Sequence, residues 1–513
     1  MDFQHFRFLG LLFLLNATQF GVDFVYSIPF GSTVFDFSFF SKTMIENALF
    51  GPLIGVIVQI VFGAWSDYNN SRWGKRRPFL IVGLVVLEIG LLLQIICGSI
   101  RLDYVETNSE DAISRDKSKF IDVNGSVILF VFEIIGMITT LVGNNILQVS
   151  YKTLVLDIIP IEHQHPCALM HILDSVIAKI IIFVVFAIVH GTTENGLDEH
   201  ANKKLMIAMY VFAMPFVCIS VLTTFFTATE NYVTETVPLK EFVIDCWRSC
   251  KQINKYTITN WFILFLGWIA NVSFLQMNSQ LFSYFTIVND NFEAESQLYS
   301  ISSINDIQNM LLCICQGVYS MILLTKNTYP WYLMCISNMI NTVMYLVPMI
   351  LVICYIVTDN LPDIGTTNRA AIIGVIIMQV VMIVPNAISS AQLLSVPFAL
   401  LKNIVDSTHF GLFVGIFNSA IICAQLITYG ITFILFVNVH HTNEEIGKEL
   451  YMENSIQIII STIIPVIFYF ISSIISINIK KAYKKRVEYS STTQYDYELV
   501  NSNVDTTENV IDY

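Results

Sequence analysis

The sequence predicts an all-α membrane protein with twelve transmembrane helices in two six-helix halves. Three observations carry this expectation. The 513 residues are 55% hydrophobic and only 13% charged, with a mean hydropathy of +0.64. A helix needs about 20 apolar residues to cross a bilayer core, and twelve apolar stretches stand at 7–30, 48–65, 79–100, 127–157, 168–190, 205–228, 259–288, 306–324, 331–357, 370–400, 411–437 and 455–479. With the N-terminus in the cytosol, the cytosolic side holds 16 Lys and Arg against 9 outside, the bias that fixes topology. Main-chain groups cannot stay unpaired in lipid, so these stretches are helices and not open strands.

The first stretch contains Asp23 and has no small-residue cleavage site, so it reads as a retained helix and not a signal peptide. The second and third are joined by a very short connection crowded with Asp67, Arg72, Gly74, Lys75, Arg76 and Arg77, with Gly63 just before it. In the fourth, Leu141, Asn144 or Asn145, Gln148 and Lys152 recur at three- and four-residue steps and share one helical face. In the fifth, His171 and Asp174 are spaced to touch on one face, with Lys179 further on, a polar cluster read as structural. A polar segment with Pro238 then separates the halves. The expected layout is an N-terminal half at 1–228, a cytosolic central loop at 229–258, a C-terminal half at 259–480 and a disordered, Ser/Thr- and acid-rich cytosolic tail at 481–513.

The segment Gly51–Leu80 carries a resemblance. Gly51, Pro52, Leu53, Gly55, Val58, Gln59, Gly63, Ser66, Asp67, Gly74, Arg76, Arg77, Pro78 and Phe79 match the pattern of the sucrose transporter family. That family lies in the glycoside–pentoside–hexuronide branch of the major facilitator superfamily. Asn144, Asn145, Gln148, Leu154 and Asp157 match again in the fourth helix, where Lys152 replaces an Arg. Ser395–Leu400 and Gly411–Gln425 match in the tenth and eleventh, and Gln19, Phe20, Gly21 and Ser27 agree more weakly in the first. The resemblance implies the major facilitator fold and a solute transporter, and extends to the family's animal sugar-transporter relatives. The chain also departs from the pattern. The family carboxylate linked to proton coupling is replaced by Leu141, and four ionisable positions of the seventh helix read Asn278, Gln280, Tyr284 and Phe285.

The residues make a neutral, hydroxyl-rich solute the expected cargo, because Asn and Gln both donate and accept hydrogen bonds. Candidate substrate contacts are Gln19, Asn144, Asn145, Gln148, Lys152, Asn278, Gln280, Asn418 and Gln425, with bridging between helices as the alternative role for the amides. Asp23 is the candidate proton-coupling residue; it falls at the depth of Leu141 on a neighbouring helix. Gly63, Asp67, Gly74, Arg76, Arg77 and Asp157 form a candidate gate. In it Asp67 meets the start of the eleventh helix near Gly411, and Arg76 and Arg77 reach Asp157. Facilitated and proton-coupled transport both stay open, and the alternative class is a non-transporting sensor on a transporter fold. No phosphate loop, zinc-binding His pair or nucleophile elbow is present, so neither enzyme activity nor a cofactor is expected. Cys246 and Cys250 are too isolated for a zinc site, and His163 and His165 are too few. The net charge of -13 does not favour nucleic acid as a partner; a sugar, protons and the lipid bilayer are the expected ones. A multi-pass protein of the plasma membrane with both termini cytosolic is the expected setting.

Overall fold

A computed structural model describes residues 3–32, 51–111, 123–160, 163–191, 199–230, 238–251, 253, 255–286, 294–326, 332–357, 369–405, 409–440 and 463–477. Among them the regular structure is helical. The first six helices are α1 (Phe3–Ser32), α2 (Gly51–Tyr68), α3 (Arg77–Asp111), α4 (Val123–Ile158), α5 (Gln164–Gly191) and α6 (Glu199–Thr227). A short helix, α7 (Leu239–Lys251), follows. The second series is α8 (Lys255–Thr286), α9 (Ala294–Lys326), α10 (Tyr332–Val357), α11 (Arg369–Ile404), α12 (Phe410–His440) and α13 (Ile463–Ile477). Nine of the described helices are long and apolar enough to cross a membrane, and two shorter apolar ones are Tyr332–Val347 and Ile463–Ile477.

Two details differ from the sequence expectation. α2 runs to Tyr68, so Asp67 sits in its last helical turn and not in the connection. The polar segment between the halves contains α7, whose Glu241 lies in the first turn and Arg248 and Lys251 in the last, as the helix dipole favours. None of α7 is buried; Leu239, Val243 and Trp247 line one exposed face.

Apolar residues point both ways, as a bilayer requires. Ile57, Val61 and Trp65 stand at four-residue steps on the exposed face of α2, whereas Gly55, Gln59 and Gly63 face inward. Within the first series, α1 packs on α5 and α6, and α3 on α4 and α6. Tyr151, Leu147, Leu12 and Val22 belong to the buried cluster this makes. The two series meet where α2 and α4 pack on α12, and α5 packs on α9 and α11. Val149 and Leu156 of α4 share one apolar cluster with Leu264, Phe398, Phe413 and Phe417 of the second series. The polar residues of interest lie along this seam.

Candidate functional site

Two polar groups occupy the seam. The first gathers at the Asp67 end of the bundle. The connection from α2 to α3 turns through Gly74, whose N–H meets Ser71 O at 3.0 Å. Gly74 has φ 104°, a conformation that side chains rarely adopt, and a Cβ there would strike Glu230. Glu230, just past α6, must come this close because it caps α3. It accepts the main-chain N–H of Arg76 at 3.0 Å and of Arg77 at 3.4 Å, where the helix dipole favours an anion. Burial pushes the Glu230 carboxyl up, and its donors and the Arg76 charge pull it back.

Arg76 is the hub of this group. It is 2% exposed. Its guanidinium pairs with Asp67, donates to Ser66 Oγ, and reaches Asp157 Oδ2 through Nε at 3.0 Å. Burial works against its charge, but Asp67 and Asp157 hold its pKa above the ordinary arginine range. Asp67 then crosses the seam: Oδ1 accepts Gly411 N–H at 3.0 Å and Oδ2 accepts Leu412 N–H at 2.8 Å. These are first-turn donors of α12, which have no partner inside their own helix. The approach is close enough that a Cβ on Gly63 would overlap Gly411 O, and one on Gly415 would overlap Gln59 O. Main chain packs on main chain there.

Arg77 behaves differently from the expectation that pairs it with Asp157. Its guanidinium carbon lies 4.2 Å from the centre of the Phe225 ring, a cation–π contact with α6. A second bridge across the seam was not legible in the sequence. Lys402, in the last turn of α11, donates to Leu156 O at 2.8 Å, Asp157 O at 3.0 Å and Ile159 O at 2.9 Å. A cation thus satisfies the open carbonyls at the C-terminus of α4. Gln164 shares the Leu156 and Ile159 carbonyls.

The second group lies deeper. Gln59 of α2 donates to Asn145 Oδ1 at 2.8 Å and to Gln148 Oε1 at 3.0 Å. Asn145 in turn donates to Leu141 O at 2.8 Å. Lys152 donates to Asn418 Oδ1 of α12 at 3.1 Å and lies 5.1 Å from the Phe398 ring centre. Asn144 falls on another strip of α4, seven residues before Tyr151, and its Oδ1 is buried without a partner among the described residues. Gln425 follows Asn418 by seven residues on α12, half-buried. The side chains of Asn278, Gln280, Tyr284 and Phe285 lie outside the described residues.

Beside this row runs a chain of hydrogen bonds through α1, α4 and α5. Gln19 donates its amide N–H to Asp23 Oδ2 and accepts Tyr151 O–H. Tyr151 Oη is also 2.7 Å from His171 Nδ1, with the two rings stacked at 5.6 Å. A phenol has one proton. With Tyr151 donating to Gln19, His171 carries its proton on Nδ1 and donates to Tyr151. The donors then all run toward Asp23. The sequence reading joins His171 to Asp174; the structure joins it to Tyr151 instead. Asp174 is fully buried, and neither of its oxygens has a hydrogen-bond partner among the described residues.

A separate cleft of about 410 Å³ between α5 and α9 is lined by Leu173, Val176, Ile180, Ile314 and Met321. Apart from Thr325 its walls are apolar, which suits no hydroxyl-rich solute.

Solved structures share this fold. The outward conformation of FucP, a major facilitator superfamily transporter, matches 91% of this chain and 97% of its own, with a TM-score of 0.55 at 12% identity. A bacterial homologue of the iron transporter ferroportin matches 92% and 98%, at 0.53 and 11%. The chain has the major facilitator superfamily fold. No family model matches it. Among curated proteins, it is 26% identical to the sucrose transport protein SUC3 of Arabidopsis thaliana over 198 residues, 37% of this chain and 32% of that protein. It is 30% identical to the proton-associated sugar transporter A of Mus musculus over 99 residues, 15% of this chain and 13% of that one. The match thus spans a third or less of the length of these relatives. The resemblance to the sucrose transporter family read from the motifs is borne out by them.

Proposed function

We propose that the protein carries a sugar or a related neutral, hydroxyl-rich solute across a membrane by alternating access. The names of the curated relatives support sugar as the class. One observation carries the reading in this chain: the Lys152–Asn418 pair, which joins α4 to α12 across the seam within a row of amides. Lys152 uses one of its three donors on Asn418 among the described residues. The Asn418 amide nitrogen is buried with no acceptor among the described residues. Clustered hydroxyls can take up both, with Gln148, Asn145 and Gln59 beside them. Gln19, Asn144, Asn278, Gln280 and Gln425 complete the proposed cavity.

The Asp67 end is the cytosolic gate of this proposal. Asp67, Arg76 and Asp157 hold it shut, Gly63 and Gly411 set its spacing, and Gly74 sets the turn. Arg77 steadies α3 from the side. The halves at 1–228 and 259–480 rock about the solute, with 229–258 as their tether and 481–513 as the tail. Both termini are cytosolic and the membrane is the plasma membrane. Proton coupling is the finer part of the proposal, with Asp23 as the terminus of the His171–Tyr151–Gln19 chain.

Uptake of a panel of labelled sugars into proteoliposomes, with and without a pH gradient, tests the reading. Lys152→Ala should weaken binding far more than Lys152→Arg, since the cation survives in the second. If both variants transport like the parent, Lys152 is a structural residue and the cavity lies elsewhere.

A further inference from the structure

We propose that Asp174 is a second carboxyl of the transport cycle, a proton-holding site on α5 that keeps its proton in this state. This rests on the proton-coupled reading and adds to it a site with a different occupant.

The argument starts from what each carboxyl touches. Asp23 ends a directed chain of donors. Asp174 is 0% exposed, and both oxygens lack a partner among the described residues. A bare carboxylate in such a place costs several kcal/mol, and the group takes a proton instead. Mid-helix position makes the point firmer. The N–H groups around Asp174 are spent on the α-helical ladder, so the main chain offers it no donor.

The charged and titratable groups near Asp174 are few. Asp23 on α1 acts on it electrostatically. Tyr151 and Lys152 stand on α4, and Cys167, His171 and Lys179 on α5 itself. On α9 Cys313 lies within the same field, and Tyr319 lies further along. On α11 the cations are Arg369 and Lys402, at the two ends of the helix. Asp23 and Asp174 share one field, Lys152 acts on Asp23 electrostatically, and no ion pair to either carboxyl stands among the described residues, so a single proton between the two is favoured. Asp23 has a side-chain donor and Asp174 has none among the described residues, which assigns the proton to Asp174.

The location allows release. α5 packs on α9 and α11 of the opposite half, so rocking of the halves changes the surroundings of α5. When water reaches Asp174, its O–H bond breaks, the proton passes to water, and the carboxylate remains. On the return the carboxylate takes a proton from water on the other side and becomes neutral again.

Infrared spectra of the purified protein in lipid at neutral pH test the resident proton without any sugar. The stretch of a protonated carboxyl should be present in the parent and in Asp23→Asn, and missing from Asp174→Asn. A band unchanged in Asp174→Asn overturns the proposal. Proteoliposomes test the role in the cycle with labelled sucrose and glucose. Asp174→Asn mimics the protonated group, so exchange across equal pH should match the parent, and accumulation driven by a pH gradient should fall to the gradient-free level. Asp174→Glu should recover part of it. Accumulation intact in Asp174→Asn overturns the role. A parent that ignores the gradient overturns the proton-coupled reading itself, and the infrared band then shows separately whether Asp174 holds a proton.

Discussion

Asp67 and Asp174 are both buried aspartates in the first six helices, and their surroundings are opposite. Asp67 meets the Arg76 guanidinium and two main-chain N–H groups. Asp174 has no hydrogen-bond partner among the described residues. The difference lies in where each stands on its helix. Helix ends have unspent main-chain donors and acceptors, and the Asp67 end collects them: the start of α12 takes Asp67, the start of α3 takes Glu230, and the end of α4 takes Lys402. A helix middle has none to give. There a carboxyl needs a side-chain donor, as Asp23 has in Gln19, or a proton.

The comparison breaks most severely at Arg76. Arg76→Ala leaves Asp67 and Asp157 without their shared cation, a loss of about 3–5 kcal/mol for a buried pair. The expected outcome is a large fall in thermal stability in detergent and loss of uptake; a variant as stable as the parent would show that helix ends alone can hold these carboxylates. Asp67→Asn keeps one acceptor for α12 but removes the charge, worth about 1.5–3 kcal/mol. Uptake should drop while membrane expression stays normal, and unchanged uptake defeats the gate. Lys402→Met removes the cation from the end of α4, an effect of about 1 kcal/mol. A modest fall in thermal stability is expected, largely restored in Lys402→Arg; no change would make the three carbonyl contacts ornamental. The smallest effect belongs to Arg77→Gln, which loses a cation–π contact of about 0.5–1 kcal/mol. Uptake should hardly alter, and a loss as large as that of Asp67→Asn would return Arg77 to the gate.

The Asp67–Gly411 and Arg76–Asp157 contacts could be foreseen because side chains of fixed charge at motif positions have few possible partners. Lys402 and Glu230 were hidden for the converse reason: their partners are main-chain groups, which every residue carries. Gln59 was visible as a motif residue, but nothing in the spacing of α2 ties it to Asn145 and Gln148 on α4. Tyr151 reads as one more aromatic in an apolar run; only the packing of α1, α4 and α5 sets it between Gln19 and His171. Asn144 and Asn145 are adjacent in sequence, and a helix turns adjacent residues to different faces, so only one of them joins Gln59.

The borrowed helix caps have a consequence for water. While α12 rests on Asp67 and α4 on Lys402, two N–H groups and three carbonyls are satisfied by side chains from the opposite half. If the halves part at this end as proposed, those groups keep no hydrogen-bond partner in their own half among the described residues except Gln164, and hydration must take over. Opening is therefore also a wetting event. In the proposed cycle its equilibrium depends on water activity as well as on the solute, and an excluded osmolyte that is not a sugar, such as trimethylamine oxide, held on that side, weighs toward the closed arrangement.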